Sequence, residues 1–138
     1  MSLVALSKAL GVGTVLFGFA PLVAPRFFGR LLGINAASDP TVATAIRSVG
    51  ARDLVIGVGL LRALQRQDSQ AVSDWLLARF ACDACDTLGV SIAVAEGARS
   101  GSFVALGGLA LGAAVVGGAL RLRWRSPPDW APARTHPV

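Results

Sequence analysis

The fold of this chain is decided by residues 39–97, DPTVATAIRSVGARDLVIGVGLLRALQRQDSQAVSDWLLARFACDACDTLGVSIAVAEG, which predict a helical hairpin. Asp39 and Pro40 form a strong start for the first arm, with an N-cap acid followed by proline at the first helical position. The short polar link from Gln65 to Ser69 makes the two arms antiparallel neighbours. Each arm is long and apolar enough to cross a hydrocarbon core roughly 30 Å thick.

Both arms carry charges near their middles. These charges are Arg47, Arg52 and Asp53 on the first arm and Arg79, Asp83 and Asp86 on the second. Asp53 and Asp83 lie fifteen residues before and after Asp68 in the link, so the two sets meet at one depth. A bare ion there costs about 2.5–3.5 kcal/mol on insertion scales. Since the six charges sum to zero, they predict a self-neutralising ion-pair network.

The spacing of these charges also predicts how the helices face each other. On the second arm the offsets are four and three, so the charges share one face, which must point into the bundle. On the first arm they are spread around the helix, so one arginine is expected to face another span. Gly50 and Gly57 share the face of Asp53, which lets a neighbouring backbone approach closely.

Two further apolar blocks, Leu3 to Ala24 and Phe103 to Leu122, flank the hairpin. With 54% hydrophobic and 15% charged residues and a mean hydropathy of +0.62, the chain lies outside the balance of soluble domains. We predict an all-α, four-helix transmembrane bundle over residues 1–123 and a Pro/Arg-rich cytoplasmic tail over 124–138. A signal peptide is the rival interpretation of the first block, and Lys8, which follows apolar residues instead of leading them, disfavours it.

Three smaller features carry their own expectations. Residues 25–38 predict either a short helix at the head groups or a loop packed on the bundle. Gly108 and Gly112 form a GxxxG pair, for which packing within the bundle is favoured over a homo-oligomer contact. Trp124 and Trp130 suit an interface anchor, and His136 a solvated tail residue.

Basic residues set the expected orientation. On one side of the membrane we count Lys8, Arg62, Arg66, Arg121, Arg123, Arg125 and Arg134, and on the other Arg26, Arg30 and Arg99. Seven against three predicts that both termini are cytoplasmic and that the protein is a multi-pass protein of the cell (inner or plasma) membrane.

Several chemistries lack a signature here. The basic residues form no aromatic-interleaved stripe, which argues against nucleic acid in spite of a net charge of +5. No histidine cluster predicts a metal, and no motif predicts a cofactor. Cys82 and Cys85 have the C-x-x-C spacing, but both lie at membrane depth with no other cysteine, so packing is the favoured interpretation.

Our leading functional hypothesis is that the network organises the bundle in contact with membrane lipid and holds an amphipathic ligand, with Arg47 or Arg52 free to bind one of its oxygens. A second hypothesis is an enzyme acting on a quinone, isoprenoid or polyketide type of substrate, with Asp53, Asp83 or Asp86 moving a proton. A small proton-coupled transporter is the third. Whether the chain is an enzyme stays open.

The stretch RSVGARDLVIG, residues 47–57, resembles the R-x-x-G-x-R-D-x-x-x-G element of an uncharacterised family of small four-span integral membrane proteins. Asp83 and Asp86 are similar to an Asp in the corresponding third helix of that family. The resemblance implies the four-helix membrane fold and points to Arg47, Arg52, Asp53 and one third-span Asp without naming a reaction. A broader likeness to DoxX-like proteins is analogy at the level of fold.

Overall fold

The computed structural model describes residues 2–34 and 37–124, and in these ranges the chain is all-α without strands. The helices are α1 (Leu3–Val23), α2 (Pro25–Leu31), α3 (Pro40–Gln65), α4 (Ser69–Ala95) and α5 (Gly101–Arg123). The predicted all-α class is confirmed. The segment after α1 forms a seven-residue helix with proline at its start, which confirms the short helix predicted within residues 25–38, while its position at the head groups stays a prediction.

The hairpin starts where its capping residues predict. The Asp39 carboxylate accepts hydrogen bonds from the backbone N–H groups of Thr41 at 2.7 Å and Val42 at 3.2 Å. The N–H groups of Val42 and Thr41 hold the pKa of the exposed Asp39 carboxyl below its usual value. Asp68 caps α4 in the same way through the N–H of Ala71 at 2.9 Å. Both arms of the hairpin therefore begin at an acidic N-cap.

Close contact between α1 and α3 depends on glycine. A Cβ added at Gly50 would lie 2.5 Å from the carbonyl oxygen of Gly18 and 2.7 Å from the backbone nitrogen of Leu22. A Cβ at Gly57 would lie 2.9 Å from the carbonyl oxygen of Gly11. The predicted backbone approach at Gly50 and Gly57 is confirmed. Because α1 packs mainly on α3, and α4 packs mainly on α5, the bundle consists of two helix pairs, α1/α3 and α4/α5.

One end of the bundle has a packed apolar core, and we call it the closed end. Its core consists of Leu60, Ala63, Val72, Leu76, Leu120 and Trp124. The side chain of Trp124 is buried, and its indole N–H donates a hydrogen bond to Ser7 Oγ at 3.0 Å. The assignment of Trp124 to an interface anchor is therefore wrong, because the α5 helix carries this indole inward onto α1. Trp130 and His136 lie outside the described residues.

The opposite end, which we call the hollow end, is formed around α2. Gly29 of α2 packs against Ala37 and Ile46, so α2 lies on α3. Ser100 Oγ donates to the carbonyl oxygen of Leu32 at 2.9 Å and joins the α2–α3 loop to the start of α5. These contacts hold the rim of the hollow end together.

Gly108 and Gly112 do not pack within the bundle. A Cβ added at either position would meet nothing within 4 Å, and both residues are exposed. The glycines of α5 that face the bundle are Gly107, against Val90, and Gly117, near α4. The favoured interpretation of the GxxxG pair is therefore wrong, because the inward face of α5 lies one residue out of register with it.

Two of the helices, α1 and α5, are apolar and long enough to cross a membrane by length and composition alone. α3 and α4 are longer, at 26 and 27 residues, but carry the six central charges. Length and composition therefore support membrane association through two helices.

We predict that Gly50→Ala lowers the free energy of unfolding by about 1–3 kcal/mol, the range for overpacking, because the new methyl group meets the α1 backbone. Unfolding in detergent micelles measures the loss. Gly108→Ala is the matched control on an open face and is expected to leave stability unchanged or to raise it by up to about 1 kcal/mol, because alanine favours a helix over glycine. Equal effects of the two substitutions would contradict the α1/α3 packing.

Candidate functional site

The first half of the site is a bidentate ion pair between Arg52 of α3 and Asp86 of α4. Arg52 Nη1 and Nη2 donate to the two carboxylate oxygens of Asp86 at 2.9 and 2.7 Å. Nε and Nη2 of Arg52 also donate to Asp53 Oδ1 at 3.1 and 3.0 Å. The side chains of Arg52 and Asp86 are 28% and 34% exposed, so this pair lies at the border of the network.

The second half is buried. Arg79 Nε donates to Asp83 Oδ2 at 2.6 Å, and Arg79 Nη2 is paired with Asp83 Oδ1. Arg79 Nη1 lies 3.4 Å from Asp53 Oδ1 and makes no hydrogen bond. Asp53 Oδ1 therefore lies between two guanidinium groups and links the halves, while Asp53 and Asp83 are 1% and 0% exposed. The predicted meeting of the two charged sets at one depth is confirmed.

Arg47 is the one predicted site residue that lies outside this network. It is exposed on α3 and makes no ion pair with any described residue. Five residues before Arg52, it points about 140° away around the helix. The network thus contains two guanidiniums and three carboxylates, and the prediction that its charges cancel is wrong. Its formal charge is −1.

A cavity of about 570 Å³ extends from Phe28 at the hollow end to Ala9 and Leu10 of α1, and it reaches the network. Asp53, Arg79, Asp83 and Asp86 are the charged residues of its wall, and we call them the floor of the cavity. The rest of the wall is mainly apolar and comes from all five helices, including Phe17, Phe28, Val49, Val90, Phe103 and Leu106. A chamber with apolar sides and a charged floor fits a molecule with one polar end.

Most of the apolar wall was not singled out from the sequence. Phe17 and Phe28 meet edge to face with ring centroids 5.6 Å apart, which places α2 against α1 at the wall. Gly13 and Gly89 leave space, since a Cβ at either position would meet nothing within 4 Å. No motif marks these residues, because their role depends on how the helices rotate and pack.

The two cysteines are free thiols. Cys85 is exposed and belongs to the cavity wall, whereas Cys82 does not. Among the described residues no group of three His, Cys, Asp or Glu side chains is arranged to hold a metal ion. Cys85 is therefore a natural chemical reporter for the interior of the cavity.

A second depression, of about 510 Å³, lies between α3 and α4 at the closed end. Its polar residues are Arg62, Arg66 and Asp68, and Trp75 forms part of its side. Both arginines are exposed, and none of the network residues contributes to it. The candidate site is therefore the cavity at the hollow end.

We predict that Asp83→Asn lowers the free energy of unfolding by about 3–5 kcal/mol, the range for removing one partner of a buried pair. It leaves the charge of Arg79 with only the more distant carboxylate of Asp53 as its counter-charge. Asp86→Asn should do less harm, because Arg52 keeps Asp53 and water reaches this border. Unfolding in detergent is the measurement, and Arg47→Gln is the control outside the network.

A double-mutant cycle tests the pairing itself. Combining Asp83→Asn with Arg79→Gln removes both charges, so the double variant should be more stable than the sum of the single losses implies. Additive losses would show that the two side chains do not stabilise each other.

A family model described as a domain of unknown function, DUF4267, matches residues 11–120, and the chain belongs to this family. The match includes every residue of the ion-pair network. The prediction of an uncharacterised family is confirmed, while the number of spans and the R-x-x-G-x-R-D element are not part of this finding. No curated protein and no solved structure matches the chain.

Proposed function

Since this family has no assigned function, we propose from the geometry that the chain is a multi-pass membrane protein whose hollow end binds an amphipathic small molecule. The observation that carries the proposal is the cavity of about 570 Å³ whose apolar walls end on the ion-pair network. Its volume falls within the roughly 300–1,000 Å³ of small-molecule sites, which are mostly apolar with a few placed polar groups.

Four membrane spans are part of this proposal. At 26 and 27 residues, α3 and α4 are about 39 and 40 Å long, more than a hydrocarbon core of roughly 30 Å requires. Most of their central charges are paired with each other, which reduces the penalty for placing them in lipid. Large apolar side chains are also exposed on every long helix, for example Leu16, Val55, Leu88 and Val115. A lipid environment accounts for this outer surface.

The closed end is proposed to face the cytoplasm. The start of α1, the end of α5 and the link with Arg62 and Arg66 belong to this end. Arg26, Arg30 and Arg99 belong to the hollow end, so the described basic residues follow the positive-inside rule. The cavity then opens toward the outer side of the cell membrane.

Topology can be measured with single cysteines in a Cys82→Ser, Cys85→Ser background. Gln65→Cys, at the link, should react with a membrane-impermeant maleimide only after the cells are permeabilised. Ser102→Cys, at the hollow end, should react in intact cells. Labelling of both positions from the same side would favour two spans, α1 and α5, over four.

The residues of the cavity floor are proposed to meet the polar end of the ligand. Arg52 is outside the wall and holds Asp53 and Asp86 in place from behind, so we give it a positioning role. Arg47 has no place in this proposal, because it lies neither in the wall nor in the network.

Ligand binding can be followed through Cys85. In a Cys82→Ser variant in phosphatidylcholine vesicles, we expect decanol to slow alkylation of Cys85 by a membrane-permeant maleimide, because an occupied cavity blocks the thiol. Gly13→Leu should raise the decanol concentration needed, since its side chain enters the cavity. Gly112→Leu, on the outer face of α5, is the matched control.

Protection that is the same in both variants, or no protection by decanol at all, would contradict ligand binding in this cavity. Circular dichroism of each variant separates loss of binding from loss of fold.

A membrane-embedded enzyme is the second candidate. The observation that favours it is that the cavity opens beside Asp83 and Asp86, as a site for carboxylate acid–base chemistry on a lipophilic substrate requires. Recovery of a bound quinone or isoprenoid in altered form after incubation would support this candidate over simple binding.

A further inference from the structure

Within the described residues, one carboxylate oxygen of the cavity floor accepts no hydrogen bond. The three carboxylates of the network have six oxygens, and both oxygens of Asp83 and of Asp86 contact an arginine. All hydrogen bonds to the Asp53 side chain go to Oδ1, so within the described residues Oδ2 accepts none. Asp53 is 1% exposed and belongs to the cavity wall.

The net charge of the network also indicates that the cavity floor would bind a cation. Arg52 and Arg79 balance two of the three carboxylates, and Arg79 is the only arginine or lysine of the described cavity wall. Lys8 is exposed on α1 and is not part of that wall. One negative charge in an apolar chamber is therefore left without a counter-charge, which is unfavourable in a low dielectric.

We propose that the polar end of the ligand is a protonated amine, whose N–H groups donate to Asp53 Oδ2 and whose charge completes that of the network. This inference rests on the proposed function and names the ligand class for the same cavity. An ammonium on an apolar tail matches the chamber, because the tail fills the space between Phe17, Val90 and Phe103. A carboxylate or phosphate end would add a second negative charge to the floor.

The test compares three probes with the same tail: decylamine, decanol and decanoate. Each is titrated against alkylation of Cys85 in the Cys82→Ser variant in phosphatidylcholine vesicles. Decylamine is expected to protect at a concentration lower than decanol by roughly tenfold or more, the range for a charge-assisted hydrogen bond, and decanoate should protect least. Gly108→Cys in a Cys82→Ser, Cys85→Ser background reports the outer surface and corrects for partition of each probe into the bilayer.

Two variants test the part played by charge. Asp53→Asn removes the free carboxylate oxygen and the excess charge, so the preference for decylamine over decanol should disappear. Asp86→Asn, at the border of the network, removes the excess charge while Arg52 keeps its contact with Asp53, and it should reduce the same preference even if Asp53→Asn fails to fold. Arg47→Gln changes the net charge outside the network and should leave the preference intact.

The outcomes separate this inference from the proposed function. If the three probes protect equally after correction for partition, the cavity binds amphipathic molecules and the amine assignment is overturned. Strongest protection by decanoate overturns it as well. If none of the probes protects Cys85, both the amine assignment and the proposed binding function are overturned.

Discussion

The shared position of Asp53 Oδ1 between two guanidiniums is the constraint on which the rest of the structure depends. Arg52 approaches it from the same helix and Arg79 from α4, so one oxygen fixes how α3 and α4 are rotated and at what depth they meet. The closed-end core joins the same two helices through Leu60 of α3 and Leu76 of α4, so charge and apolar packing together hold the two helix pairs in register. Apolar packing then completes one end and leaves the other open.

Much of this arrangement could be predicted from the sequence because it follows from helical geometry. Asp39 and Asp68 mark where the arms begin, and equal distances from the link place Asp53 and Asp83 at one depth. Offsets of four and three place the α4 charges on one face. Gly50 and Gly57 likewise follow from their spacing to Asp53, since a residue's face depends only on its position along the helix.

The remainder depends on rotations and packing that spacing leaves free. Arg47 and Arg52 occupy different faces, and only the contact with α4 decides which of them turns inward. Gly108 and Gly112 have the GxxxG spacing of a packing motif, but they lie on the outward face of α5. The glycine that packs against α4 is the neighbouring Gly107. The cavity could not be predicted from spacing, because it depends on space left where a residue such as Gly13 or Gly89 has no side chain.

The hydrogen bond between Trp124 and Ser7 joins positions 117 residues apart in the chain. During synthesis the first helix leaves the ribosome long before this indole exists, so the sealing of the closed end has to wait for the last helix. The closed end is therefore completed by a contact between the first and the last helix, which a chain lacking α5 cannot make.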